Sequence, residues 1–190
     1  MDHAILQDRL SRAMGSAARV FGAECDLHRP DGPGDPLRAG TRILRLHAAF
    51  DGGDPGYRRP PGFDRALRGT FDSMYVRPGD YLAGPRGTVF VAALPPLHRP
   101  LCVLCNAVLD VIRPGGPGLP GLNEYGGAGP DLPVLQGWPA QLLAAGALLP
   151  LGPAEIRRDD RLQAPGLRMT VTTAERTEFG WRIAGTRAGA

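Results

Sequence analysis

The sequence predicts a mainly β protein of the α+β class, with an N-terminal helix before two related small antiparallel units of barrel-like or sandwich-like form. Three observations lead to this prediction. The first 22 residues have a helical apolar period, short alternating segments follow, and one phrase occurs twice, at 75–93 and at 155–173. Glycine and proline supply 27 and 20 of the 190 residues, which is typical of a fold rich in turns.

The helix is indicated by the spacing of apolar residues near the start. They recur four, four, three and four positions apart and would share one helix face: Leu6, Leu10, Met14, Ala17 and Phe21. Gly22 follows as a residue that commonly ends a helix. This face is suited to pack on the chain's own domain or on a neighbouring subunit, and the pattern leaves both alternatives open.

Strands are predicted next by alternating apolar residues at 23–29 and 41–50, with turn-rich sequence between them. The segment 63–76 fits either a helix or a strand. We favour a strand, because Thr70 and Phe71 prefer a pleated backbone and Gly69 is unfavourable in a helix.

The repeated phrase aligns without a gap at a separation of 80 positions. Identical residues occupy matching places, in the pairs Arg77 and Arg157, Asp80 and Asp160, Leu82 and Leu162, Pro85 and Pro165, and Val91 and Val171. The residues at 77–80 favour a turn, because Pro78 fixes φ, Gly79 allows positive φ and the Asp80 carboxylate can accept backbone N–H groups. We therefore expect Asp80 and Asp160 to occupy equivalent turns.

A β-hairpin is predicted after each of these turns. The chain reverses at 84–87 in the first copy and at 164–166 in the second. A third strand should follow, carrying Leu101 and Val103 in one copy and, 80 positions later, Trp181 and Ile183 in the other. Short strands of this kind are typical of small barrels.

A long connector rich in glycine and proline separates the two copies. The chain is thereby divided into a helix at 1–22, a first β unit at 23–112, a connector at 113–153 and a second β unit at 154–190. The connector is either a flexible tether or an arm lying across a neighbouring subunit. The candidate interface residues are Tyr125, Trp138, Leu142, Leu143 and Trp181.

The charge pattern argues against a nucleic-acid stripe. All 22 basic residues are arginine, the net charge is +3, and arginines alternate with acids. A small nucleic-acid-binding β-barrel remains a less favoured alternative. No run of 18 apolar residues and no apolar leader is present, so we expect no membrane partner and a protein made in the cytosol.

The sequence shows no motif for catalysis, a metal or a cofactor. Cys102 and Cys105 are three positions apart in a predicted strand, so their thiols should face opposite sides. The four histidines and three serines lie outside known nucleophile motifs. We expect no enzyme and no cofactor; the rival is a hydrolytic or metal-dependent enzyme using Asp159, Asp160 or a histidine.

Several segments together resemble virion proteins of tailed bacteriophages and prophages. They are the segment 58–63, the turn 77–82, the asparagine-tyrosine-glycine region 123–127, the GWP at 137–139 and the terminal 177–182. The stretch 77–106 resembles head-closure (stopper) proteins in particular. The likeness spans most of the chain, and its motifs are structural, among them the turn residues Arg77, Pro78, Gly79, Asp80, Arg157 and Asp160.

This resemblance implies a structural virion component without an active site, present in the particle and, during assembly, in the host cytoplasm. It implies a ring-forming homo-oligomer in the head-to-tail connector (neck) or tail. The implied partners are other virion proteins, such as a portal or adaptor, a tail terminator, a tail tube or a baseplate hub. DNA would at most pass through a channel. A baseplate or tail-tip position is the alternative.

Overall fold

The computed structural model describes residues 3–52, 60–63, 65–115 and 130–187. It contains helix α1 (His3–Phe21) and, within the described residues, a series of strands: β1 (Ala23–His28), β2 (Arg42–Asp51), β3 (Leu67–Phe71), β4 (Tyr81–Gly84), β5 (Gly87–Ala93), β6 (Leu101–Leu104), β7 (Ala107–Arg113), β8 (Leu132–Leu143), β9 (Gly146–Leu149), β10 (Arg161–Ala164), β11 (Leu167–Thr177) and β12 (Gly180–Arg187). The mainly β class, the N-terminal helix and the two antiparallel units are confirmed.

The strands close into two six-stranded barrels with the same topology. The first barrel runs in the order β1-β2-β3-β6-β5-β4 and closes through β4 and β1. The second runs in the order β7-β8-β9-β12-β11-β10 and closes through β10 and β7. Every strand of one barrel therefore has a counterpart six strands later, which identifies a structural duplication of the whole unit.

The predicted boundaries between the units are wrong. The first barrel ends at Leu104 and the second begins at Ala107, so the boundary lies near 105 rather than at 112. Strands β8 and β9 lie inside the segment 113–153 that was predicted to be a connector. The prolines in this segment argued against strands, because proline cannot donate a backbone hydrogen bond. In the structure, β8 nevertheless contains Pro139, opposite Val108, and a bulge at Gly137, where φ is +69°.

The position of the third strand in the second copy is also corrected. Cys102 pairs with Val91, and Gly185 pairs with the equivalent Val171. The third strands are therefore offset by 185 − 102 = 83 positions instead of 80. The reason is that β11 continues to Thr177 and turns directly into β12, whereas a longer loop joins β5 to β6.

Helix α1 packs on the outside of β2 and β3. Ala18 is completely buried there, and the Gly22 N–H donates to the Ala18 carbonyl at 2.8 Å, which ends the helix. The helix and the preference for a strand at Leu67–Phe71 are thus confirmed. At the two ends of the helix, however, Leu6 and Phe21 remain 42% and 78% exposed.

Two apolar clusters form the core. The smaller one fills the first barrel and consists of Cys25, Leu27, Leu46, Ala48, Phe71, Val76, Leu82, Val89, Val91 and Cys102. The larger one fills the second barrel and extends to side chains of the first, among them Tyr81, Phe90 and Val103. The Tyr81 hydroxyl donates to the Pro139 carbonyl at 2.8 Å. The two barrels therefore share a buried contact.

Candidate functional site

The two repeated turns have the same backbone hydrogen bonds. The Arg77 N–H donates to Oδ2 of Asp80 at 2.7 Å, and the Arg157 N–H donates to Oδ2 of Asp160 at 2.8 Å. The carbonyl of each aspartate accepts from the matching valine of the following strand, Val91 or Val171. Asp80 and Asp160 therefore occupy equivalent turns, as their shared sequence context predicts.

Each aspartate also binds an arginine at the C-terminal end of the first strand of its barrel: Arg29 directly follows β1, and Arg113 is the last residue of β7. Arg29 donates to both carboxylate oxygens of Asp80 at 2.8 Å. Arg113 donates to those of Asp160 at 2.8 and 2.9 Å. The same guanidinium groups reach the carbonyls of Tyr75 and Glu155, respectively. Both aspartates are about 1% exposed, whereas the side chains of Arg29 and Arg113 are 29% and 23% exposed. Each contact is therefore a bidentate ion pair with a buried carboxylate and a partly buried guanidinium.

The protonation of the arginines follows from this geometry. The pKa of Arg29 is raised, first by its hydrogen bond to Asp80, and the pKa of Arg113 is raised, first by its hydrogen bond to Asp160. Because each carboxylate is already satisfied by a guanidinium and a backbone N–H, it has little capacity left to bind a cation. We call each of these contacts, Arg29 with Asp80 and Arg113 with Asp160, a clasp. Each clasp has a structural role, because it joins the two strands at which its barrel closes.

Sequence reasoning missed both clasping arginines. A signal was present, because Arg29-Pro30 and Arg113-Pro114 are the same dipeptide at the end of corresponding strands. Their separation is 113 − 29 = 84 positions, so a search at 80 positions passes over them. The loops differ in length between copies, and this shifts the separation from one strand pair to the next.

The predicted interface residues do not form one exposed surface. Trp138 is fully buried, and Trp181 is 6% exposed, so both tryptophans are core residues and their assignment to an interface is wrong. The Trp138 indole N–H lies 3.0 and 3.1 Å from the carbonyls of Pro33 and Gly34. Leu142 and Leu143 end β8 half-buried against the larger cluster. Tyr125 lies outside the described residues, as does the region 123–127.

Apolar side chains that do face solvent lie mainly around the first barrel. The most exposed are Met74 at 83%, Phe21 at 78%, Val20 at 71% and Tyr75 at 69%. A groove of about 730 Å³ also runs between α1 and the loops after β3 and β5. Its wall includes an ion pair in which Arg19 Nε lies 3.3 Å from Asp72 Oδ2. Within the described residues, these exposed surfaces are the candidate assembly sites.

Cys102 lies in β6 and Cys105 directly follows it, and their side chains face opposite sides, as strand geometry predicts. Cys102 belongs to the core of the first barrel, whereas Cys105 packs against the larger cluster. Burial raises the pKa of both thiols, that of Cys105 to about 12. Within the described residues, no three His, Cys, Asp or Glu side chains are grouped to hold a metal ion.

Among the described histidines, His28 is buried. Its Nδ1 lies 3.1 Å from the Thr41 hydroxyl, which is placed to donate to the carbonyl of Pro36 or Arg38. Desolvation by burial lowers the pKa of His28. The imidazole therefore acts as a neutral hydrogen-bonding group in the wall of the first barrel.

No family model, curated protein or solved structure matches this chain. In the part of the chain that the structure describes, no helix has the length and apolar character needed to cross a membrane.

Proposed function

We propose that this protein is a structural subunit of a tailed phage or prophage particle, forming a homo-oligomeric ring in the head-to-tail connector or tail. The observation that carries the proposal is the distribution of apolar side chains around the duplicated barrels. Solvent-facing residues such as Phe21 and Met74 are too exposed to contribute to the core of their own chain. Clusters of such residues mark surfaces that other proteins cover.

The location of these side chains favours a ring over a symmetric pair. Phe21 lies at one end of the first barrel, beside the starts of β1 and β5, and Met74 lies at the other end, after β3. A subunit with different apolar surfaces at its two ends is suited to head-to-tail contacts. Such heterologous contacts form closed rings when the rotation between subunits closes.

The charges give less support to the nucleic-acid alternative. Several surface arginines are paired with acids of the same chain, including Arg45 with Asp26, Arg157 with Glu155 and Arg161 with Asp131. A guanidinium that already faces a carboxylate has less tendency to bind phosphate. In the proposed ring, DNA would pass through the channel without sequence-specific contacts to its bases.

The proposal assigns no catalytic role and no cofactor to this chain. The geometry shared by the two clasps supports this, because Asp80 and Asp160 are each buried and paired with an arginine. The proposed partners are a second copy of the chain and adjoining virion proteins: a portal or adaptor, a tail terminator, a tail tube or a baseplate hub. The virion, with the host cytoplasm during assembly, is the proposed location.

Deletion of the gene in its phage or prophage tests this function. We expect the chain to be found by mass spectrometry in purified wild-type particles. For a neck protein, electron microscopy of the deletion lysate should show filled heads and separate tails, and a plasmid copy should restore joined particles. Defective tail tips on joined particles would favour the baseplate alternative. Intact infectious particles that lack the chain would refute the proposal.

A further inference from the structure

The connection between β1 and β2 runs from the first barrel onto the second. We call this connection, residues 29–41, the strap. At its tip, the Pro33 carbonyl accepts from the Gln136 N–H at 2.8 Å and from the Trp138 indole N–H at 3.0 Å. Leu37 of the strap packs against the larger apolar cluster. The strap therefore contacts both the backbone and the buried indole of β8.

The base of the strap is closed by hydrogen bonds around a threonine. The Arg29 N–H donates to the Thr41 carbonyl at 2.9 Å, and the Thr41 N–H donates to the Arg38 carbonyl at 3.0 Å. The Thr41 hydroxyl oxygen lies 2.6 Å from the Pro36 carbonyl and 2.8 Å from that of Arg38. A hydroxyl has one hydrogen, so it donates to one of these carbonyls and keeps lone pairs with which to accept.

His28 contacts the accepting side of this hydroxyl. Its Nδ1 lies 3.1 Å from Thr41 Oγ1, and because the hydroxyl donates to a carbonyl, Nδ1 carries the hydrogen of the neutral ring and donates it. His28 pairs with Tyr81 between β1 and β4, and the Tyr81 hydroxyl reaches Pro139 of the second barrel. The imidazole therefore lies on the outer face of the first barrel, where it is only 6% exposed against the base of the strap.

A second proton on this ring would place a positive charge at the base of the strap. The charged and titratable groups around the ring come from every element that packs there: Asp26 on β1, Asp35 and Arg38 in the strap, Arg42 on β2 and Tyr81 on β4. Asp26 favours the charged ring, but its carboxylate is shared with Arg42 and Arg45, each at 3.0 Å. Burial outweighs these contributions and lowers the pKa of His28. The imidazolium is thus more stable in water than under the strap.

We propose that the strap is a pH-sensitive contact between the two barrels, and that protonation of His28 releases it from β8 while both barrels stay folded. The ring reaches water only when the base of the strap opens. Because the base and the tip belong to one short segment, opening removes the Pro33 carbonyl from Trp138 and frees the Gln136 N–H. The inference concerns a single chain and does not depend on the proposed ring function.

Hydrogen exchange at single amides tests this release in the full-length protein. The closed strap is favoured above the ordinary histidine pKa of about 6.5, where a ring in water is neutral, and it loses this advantage below that pKa. Between pH 7.5 and 5.5, the protection factor of the Gln136 amide, corrected for intrinsic exchange, should fall by up to about tenfold. The Val171 amide, which donates to the Asp160 carbonyl of the second barrel, is the internal reference and should keep its protection.

Substitutions at the base of the strap separate its effect from that of other groups. His28→Gln keeps a hydrogen-bonding side chain that does not titrate, so the Gln136 protection factor should no longer change between the two pH values. Thr41→Val removes the hydroxyl and should lower this protection already at pH 7.5, whereas Thr41→Ser keeps the hydroxyl and should match wild type. His47→Gln, at a part-exposed histidine of β2, is the control and should leave the pH response intact.

Three outcomes would overturn the inference. The first is equal Gln136 protection at both pH values in the wild type, and the second is a fall that persists in His28→Gln. The third is a parallel loss of protection at Val171, because acid would then unfold the second barrel instead of releasing the strap. If Thr41→Val does not fold, the comparison of wild type with His28→Gln decides the matter.

Discussion

The Arg29 guanidinium and the Asp80 carboxylate form a bidentate ion pair, with both N–O distances at 2.8 Å. Arg29 follows the strand β1 and Asp80 precedes the strand β4, and these two strands close the first barrel. Arg113 and Asp160 repeat the arrangement in the second barrel. The duplicated element therefore consists of the turn and of the arginine that binds its aspartate. It connects the two strands that close each barrel, and the repeated turn sequence is only one part of it.

Removing the charge of one clasp should destabilise the protein strongly. Asp80→Asn leaves Arg29 partly buried without its counter-ion, and we expect the free energy of unfolding to fall by about 2 to 3 kcal/mol. Asp160→Asn should have a similar effect, because its contacts are equivalent. Thermal and denaturant unfolding measure both changes. As a control, Glu155→Gln disrupts the exposed Arg157 pair and should leave the melting temperature unchanged; a comparable loss there would contradict the role of burial.

The turn at Asp159 should accept glycine with a gain in stability. Asp159 has φ of +70°, where its counterpart in the first barrel is Gly79 with φ of +90°. Because a side chain is strained in this region, Asp159→Gly should stabilise the fold by up to about 1 kcal/mol. Asp159→Val should destabilise it, since β-branched residues avoid positive φ. Equal melting temperatures for the two variants would show that this turn is unstrained.

Both tryptophans should behave as buried residues in the isolated chain. We expect blue-shifted fluorescence and weak quenching by iodide, because Trp138 and Trp181 are at most 6% exposed. Trp138→Phe should cost about 2 kcal/mol or more, as it removes the indole contacts to the carbonyls of Pro33 and Gly34. Strong quenching by iodide in the folded protein would instead place a tryptophan at the surface.

Stability should fall as the pH drops through the range in which histidine titrates. The pKa of His28 is lowered in the fold, chiefly by burial, so the unfolded chain binds its proton more tightly. The folded state is therefore favoured above the ordinary histidine pKa of about 6.5 and loses this advantage below it. Unfolding in urea at pH 7.5 and 5.5 should show a larger difference for wild type than for His28→Gln. An identical difference would exclude His28 as the titrating group.

Local sequence patterns were sufficient for the helix, the two hairpins and the turns at Asp80 and Asp160. These patterns did not predict features that depend on contacts between residues distant in sequence. Trp138 follows a glycine and precedes a proline, a pattern that is typical of a loop. In the structure it is buried and contacts Tyr81 and Gly34, which are distant in sequence. The arginines of the clasps were missed because their aspartates are about 50 positions away and the intervening loops differ between copies.

The clasps also bear on how the barrels come apart. Strands β1 and β4 are distant in sequence, whereas hairpins such as β4 and β5 are local, and distant contacts carry the larger loop-closure cost. We expect the Arg29 contact to form after the folding transition state, so that its loss speeds unfolding and leaves the refolding rate nearly constant. Stopped-flow kinetics of Asp80→Asn would show this as a shift of the unfolding limb alone. A clasp that forms after the transition state would stabilise the subunit mainly kinetically, because it lowers the unfolding rate and so prolongs the lifetime of a barrel that has already closed.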